Sequence, residues 1–148
     1  MLTLTRRVGE SIRIGQTTCV TVYDRLRYHV MLGVLTPPDQ NLRVGAESVR
    51  AAVLPDGSCF RLLTMLSGED FTMGSARVEV RFRPTYLGAS SPMRRQIKIC
   101  IAAPRDVLVL REELYLKQCA ESGERLPAMP VAKWLRNANL RVSARTAA

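Results

Sequence analysis

The chain has 148 residues with 22 Lys+Arg against 13 Asp+Glu, a net charge of +9, and is 47% apolar but only 5% aromatic. That balance excludes wholesale disorder, favours an anionic partner (nucleic acid or a membrane surface) and argues against reading bases mainly by aromatic stacking. No apolar run reaches the roughly 18 residues that span a bilayer, and Arg6, Arg7 and Glu10 interrupt the place where a secretory leader would be apolar.

In chain order, residues 1–5 alternate with the period of a strand and lead into Arg6-Arg7. Gly9-Glu10 is a turn, residues 11–14 form a second short strand, and Gly15 closes it. Residues 19–22 alternate as a strand, a polar turn follows at 24–27, and residues 29–35 are a largely apolar strand. Pro37-Pro38-Asp39 is loop, because proline cannot donate to a sheet ladder. Residues 41–44 form a weak strand. Residues 46–54 have helical composition and end at the turn Pro55-Asp56-Gly57-Ser58, where a boundary is expected.

The second part of the chain repeats the first. Residues 60–74 set beneath residues 1–15 bring Leu-Thr, Gly-Glu and the closing Gly into coincidence. Arg77-Val78-Glu79-Val80 then lies under residues 19–22, and residues 97–104 lie under residues 30–37. A longer loop rich in Pro, Gly and Ser separates those blocks at 83–95. Residues 107–110 follow as a strand and 112–119 as a short helix. Several blocks in the same order predict a tandem duplication: a first repeat at 1–50, a linker at 51–59, a second repeat at 60–119. A basic extension at 120–148 matches neither repeat; it is expected to hold a helix around Trp134 docked on the body, or to add a basic arm.

Cys19, Cys59, Cys100 and Cys119 are widely spaced without a C-x-x-C pair, and His29 is the one histidine. Buried thiols in a reducing cytoplasm are expected, with no metal site and no cofactor. No nucleophile–base set or paired carboxylates at useful spacing point to an enzyme.

Leu4-Thr5-Arg6-Arg7 with Gly9-Glu10, together with Ala103-Pro104-Arg105-Asp106-Val107-Leu108-Val109-Leu110-Arg111-Glu112-Glu113, resembles the two ends of the carbon storage regulator family (CsrA/RsmA). Members of that family are small bacterial messenger-RNA-binding regulators. In a single-copy member the two elements lie much closer together; here they lie in different repeats. The resemblance implies a mainly β fold with short helices, in which two five-stranded repeats interlock as a pseudo-dimer of mixed β-sheets within one monomeric chain. It further implies a composite RNA site in which the first strand of one repeat lies beside the last strand of the other. Carried over by position, that site comprises Leu4, Thr5, Arg6, Arg7, Ala103, Pro104, Val109, Leu110 and Arg111. Arginine suits it, because its planar guanidinium binds phosphate bidentately and stacks on bases.

At the other junction the pattern is degenerate. Met65-Leu66 stands where the arginine pair should be, and Val44 or Gly45 at the place of Arg111, depending on a one-residue gap. The reading that follows is a cytoplasmic, non-enzymatic regulator that recognises GGA-containing hairpin loops in mRNA or small RNA and controls translation or mRNA stability through one site. The alternative is a protein-interaction module on the same scaffold that has lost most RNA binding, the family having protein antagonists.

Overall fold

The structure, a computed structural model, describes residues 1–83 and 96–122. The expected long loop at 83–95 and the extension at 120–148 fall almost wholly outside the described residues.

Among the described residues, alternating short runs punctuated by glycine turns fold into twelve strands and one helix. They are β1 (Leu2–Arg6), β2 (Ser11–Ile14), β3 (Thr18–Arg25), β4 (His29–Thr36), β5 (Leu42–Val44), β6 (Glu47–Ser48), β7 (Ala52–Val53), β8 (Cys59–Leu66), β9 (Asp70–Met73), β10 (Ala76–Arg81), β11 (Ile97–Ala102), β12 (Val109–Arg111) and α1 (Glu112–Ser122). The strands form two six-stranded sheets, ordered β1-β11-β10-β9-β5-β6 and β12-β2-β3-β4-β8-β7. Each sheet therefore mixes strands from both parts of the chain, and every ladder in them is antiparallel. The fold is mainly β with a short helix. That helix does not cross a membrane: no helix among the described residues is long and apolar enough to do so.

The registers of the two sheets correspond. Leu2 faces Ile101 and Arg6 faces Ile97 in one; Arg61 faces Val34 and Met65 faces Val30 in the other. Ser11 faces Thr21 as Asp70 faces Glu79. The first turns agree down to individual hydrogen bonds. Glu10 Oε1 accepts from the Arg7 amide and Glu69 Oε1 from the Leu66 amide, both at 2.7 Å. Gly9 and Gly68 hold φ of 89° and 90°, a left-handed conformation that explains glycine at both places.

The main core lies between the sheets and is built from the inward-facing alternate residues of both. Ile12, Val20, Leu32, Val34 and Leu63 come from one sheet, Phe71, Val78, Val80, Ile97 and Ile99 from the other. The outer faces differ. Across the β12-β2-β3-β4-β8-β7 sheet, one cross-strand row runs Leu110, Arg13, Cys19, Leu35, Phe60, Ala52. Cys19, Leu35 and Phe60 form a second buried cluster with Leu54, while α1 lies over Arg13 through Tyr115. The corresponding row of the other sheet is Ser48, Arg43, Thr72, Arg77, Ala102, and its first four residues are exposed.

Three expectations are corrected. Residues 46–54 are not helical: the chain reverses at Gly45 (φ 61°), β6 folds back on β5, and β7 pairs with β8. Ladder partners on both flanks override the helical composition of this segment. The linker at 51–59 is accordingly an edge strand and hairpin turn, not a bare connection from a helix. The last strand is Val109–Arg111, because the Val107 amide is drawn into a turn by Pro104 O at 3.0 Å.

Gly33 sits beneath the rings of Tyr23 and Phe60. A Cβ there would stand 2.2 Å from Tyr23 Cε2 and 2.9 Å from Phe60 Cζ, two rings packed edge to face across the outer cluster. Gly33→Ala is expected to lower stability by about 1–3 kcal/mol through this overpacking. Urea denaturation checks it, and an unchanged midpoint would show that both rings move aside freely.

Candidate nucleic-acid interface

β1 and β12 are edge strands of opposite sheets. They form no ladder with each other, so the side-by-side pairing expected of first and last strands is replaced by a meeting of two edges at one corner. Among the described residues β1 has one ladder partner, β11, and β12 has one, β2. Within those residues each strand leaves one row of backbone amides and carbonyls without a strand partner, a surface able to bond an extended ligand.

The loop from β11 to β12 crosses this corner. With the start of β1 it walls a groove of about 560 Å³ lined by Met1, Leu2, Ala103, Pro104, Leu108 and Val109, among others. The Gly15 amide donates to Leu108 O at 2.7 Å and fixes the loop on the first part of the chain. Leu4 and Val109 are half-buried and pack against the core from their two strands. Thr5 and Leu110 are half-buried; Pro104, Arg7 and Arg111 are exposed.

Arg6 departs from the expected phosphate contact. It is 4% exposed, and its Nη1 and Nη2 donate to Glu113 Oε2 and Oε1 at 3.0 and 3.1 Å. Its Nε donates to Thr5 O at 2.9 Å, and Nη1 also reaches Ser11 O. Strand parity explains the placement, since Leu4 and Arg6 point to the same inner side. A charge placed there has to be paired, and Glu113 in the first turn of α1 supplies the partner. Of the three arginines named from sequence, Arg7 and Arg111 are thus the ones that face solvent.

The neighbouring glutamate makes a parallel tie. Arg13, 2% exposed, donates from Nε and Nη2 to Glu112 at 2.7 and 3.0 Å, and its guanidinium lies 4.9 Å from the Tyr115 ring centroid. Tyr115 Oη donates to Gln16 O at 3.2 Å. Consecutive glutamates after Arg111 therefore reach β1 and β2 and lock β12 against the first part of the chain. Sequence reasoning passed over Arg13, Glu112 and Glu113. The one available signal was two acids opening a helix, which reads more simply as complementing the helix dipole. Beneath this cluster, burial pushes the Cys19 thiol up to about 12, so it is inert at neutral pH.

The opposite junction is different. Leu42 faces Met73 and Arg43 faces Thr72, just as Val109 faces Ile14 and Leu110 faces Arg13. The position of Arg111 therefore falls on Val44, not Gly45, and Arg43 occupies the place of Leu110 on the other face. Val44 and Met65 are buried in the core, whereas Leu66 is 45% exposed. Both edges carry an extra strand: β6 on β5 and β7 on β8.

The hydrogen bonds of Arg6 hold the Glu113 carboxyl below the ordinary carboxylate range. A depressed folded-state pKa contributes stability above the unfolded value, about 4.3 for Glu, and loses it as pH falls through the folded value. Wild type should therefore lose more of its urea midpoint between pH 7 and pH 3 than Glu113→Gln does. Equal losses would mean that the pair contributes nothing to the docking of α1.

Searches among curated proteins and among solved structures return no significant match. A protein-family model does match: residues 1–44, covering β1 to β5, fit CsrA, described as a global regulator protein family. The similarity to this family of global regulators is thus confined to residues 1–44, the segment that supplies β1 to β5.

Proposed function

We propose that this protein is a post-transcriptional regulator that binds GGA-containing hairpin loops of mRNA or small RNA at one composite site and thereby controls translation or mRNA stability. In this reading residues 1–50 and 60–119 are tandem repeats, joined through 51–59, that complete each other's sheets as two subunits of a homodimer would. The matching registers and the paired Gly-Glu turns support the duplication.

One observation carries the functional reading. Two open strand edges meet at one corner, flanked by solvent-facing Arg7 and Arg111 and by the groove along Ala103-Pro104. Backbone groups along such edges read base edges, Leu4 and Val109 supply an apolar floor, and the arginines take phosphate. Arg6 positions the site from beneath, through Glu113. The second junction, with Met65, Leu66, Val44 and Gly45, offers no comparable phosphate donors.

Calorimetry with a short hairpin RNA bearing GGA in its loop should give one RNA per chain. Arg7→Ala or Arg111→Ala should each cost about 1–3 kcal/mol, while Leu66→Ala leaves affinity nearly unchanged. Two equivalent RNAs per chain, or full affinity after Arg111→Ala, would sink the one-site reading; no RNA binding at all would favour a protein-interaction module.

Two phosphate contacts to a single strand give an expected slope of about −1.4 for log K against log salt. A slope near −2 would mean that Arg6 leaves Glu113 to take a third phosphate. Light scattering should return one chain mass, because each repeat already has its partner in the same chain; a dimer persisting on dilution would count against the fused arrangement.

A further inference from the structure

The groove beside β1 has a counterpart beside β8, and the chain itself fills that counterpart. Leu2 lines the first groove opposite Ile101; at the matching register, opposite Val34, stands Arg61. Arg61 is 6% exposed. Its Nη1 donates to Thr36 Oγ1 at 3.0 Å, its Nη2 to Gln40 O at 2.9 Å and its Nε to Val49 O at 2.9 Å. Thr36 stands where the first junction has Ala103.

The segment held by Arg61 then runs along the edge. Ala52 faces Phe60 and Val53 faces Cys59, so β7 takes the hydrogen-bonding row of β8 that β1 leaves open at the first junction. Val49 is tied to β5 by its amide, which donates to Leu42 O at 2.9 Å. Leu54 is the one deeply buried side chain of the stretch, and Val53 is 70% exposed. A segment with so little apolar burial is held chiefly by its backbone pairing and by the arginine clamp.

We propose that residues 47–54 are an autoinhibitory strap: they occupy in cis the edge that RNA takes at the first junction, and displacing them uncovers a second, weaker RNA edge on β8. This rests on the RNA reading of the first corner. The strap supplies a cause of single-site behaviour beyond the exchange of arginines for Met65 and Leu66. The uncovered edge would present the backbone of β8 and of Thr36-Pro37, with Arg61 released from Val49 to face a phosphate. Its affinity should be about tenfold or more below that of the first site, because Leu66 and Val44 stand in the places of the solvent-facing Arg7 and Arg111.

The test replaces residues 49–53 of the full chain by Gly and Ser at equal length, which removes the apolar contact of Val49 and weakens the β7 pairing by raising the entropy cost of ordering the segment. A milder variant, Arg61→Gln, removes the clamp and serves if the first fails to fold by circular dichroism. Each is titrated with the GGA hairpin by calorimetry. The proposal expects one RNA on wild type and a second, weaker binding event on the replaced-strap chain, persisting when Arg7→Ala and Arg111→Ala disable the first site. Arg61→Gln should show the same event more weakly, together with faster hydrogen exchange of the 52–54 amides. One RNA on wild type and still one on a folded strap variant overturns the strap. No RNA on wild type instead overturns the RNA reading, and the strap with it.

Discussion

Strand exchange between the two parts of the chain is the constraint on which the molecule depends. β1 finds its ladder partner in β11, and β12 finds its own in β2. The long β4–β8 ladder runs from His29↔Leu66 to Thr36↔Cys59 and joins the two parts at the middle of one sheet. Without these pairings each part would keep only a three-stranded meander, β2-β3-β4 or β9-β10-β11, with both edges open and one apolar face uncovered. The core between the sheets exists only when both parts are present, and so does the corner where β1 meets β12.

A single chain carries different residues on the outer faces of its two sheets. In a homodimer both junctions and both outer faces must be alike, because one sequence makes them. Here one outer face is apolar along Cys19, Leu35 and Phe60 and is covered by α1 and Leu54, while the other presents Arg43, Thr72 and Arg77 to solvent. The covered face needs its helix. Arg13 lies beneath that helix and would be a costly unpaired buried charge without Glu112, so helix docking and charge pairing are one event. The first part of the chain has no such helix after β5, and the corresponding residues serve as β6 and β7 instead.

Open strand edges recruit ligands and also invite aggregation. Among the described residues two of them are open at one corner, beside exposed Arg7 and Arg111, and the other two are covered by the short strands β6 and β7. The charges at the open corner act in order. Glu113 holds Arg6 and Glu112 holds Arg13, which fixes β12 and leaves Arg111 free of the task of holding the halves together. Under the proposed RNA reading, a corner tied together in this way would limit the ordering cost of binding.

Much of this was legible in the residues. Period-2 alternation located most of the strands, Gly9-Glu10 and Gly68-Glu69 announced matching turns, and the order of the repeated blocks anticipated two interlocked sets of strands. Those features are local or are set by identity between positions, so one dimension suffices to find them. The destination of each arginine was not legible. Arg6, Arg7, Arg13, Arg61 and Arg111 carry the same charge, yet Arg6, Arg13 and Arg61 are buried and bonded while Arg7 and Arg111 face solvent. Which fate each meets depends on the face its strand turns to the core and on what crosses above it, for example Glu112 or the Val49 carbonyl from elsewhere in the chain. Residues 46–54 make the same point for the backbone: their composition permits a helix, but the edges of β5 and β8 beside them supply hydrogen-bond partners, and the segment forms the two short strands β6 and β7. The sequence by itself determined most of the strands and the glycine turns. Tertiary structure alone decided which edges stay open and which charges reach the solvent, because both depend on partners far away along the chain.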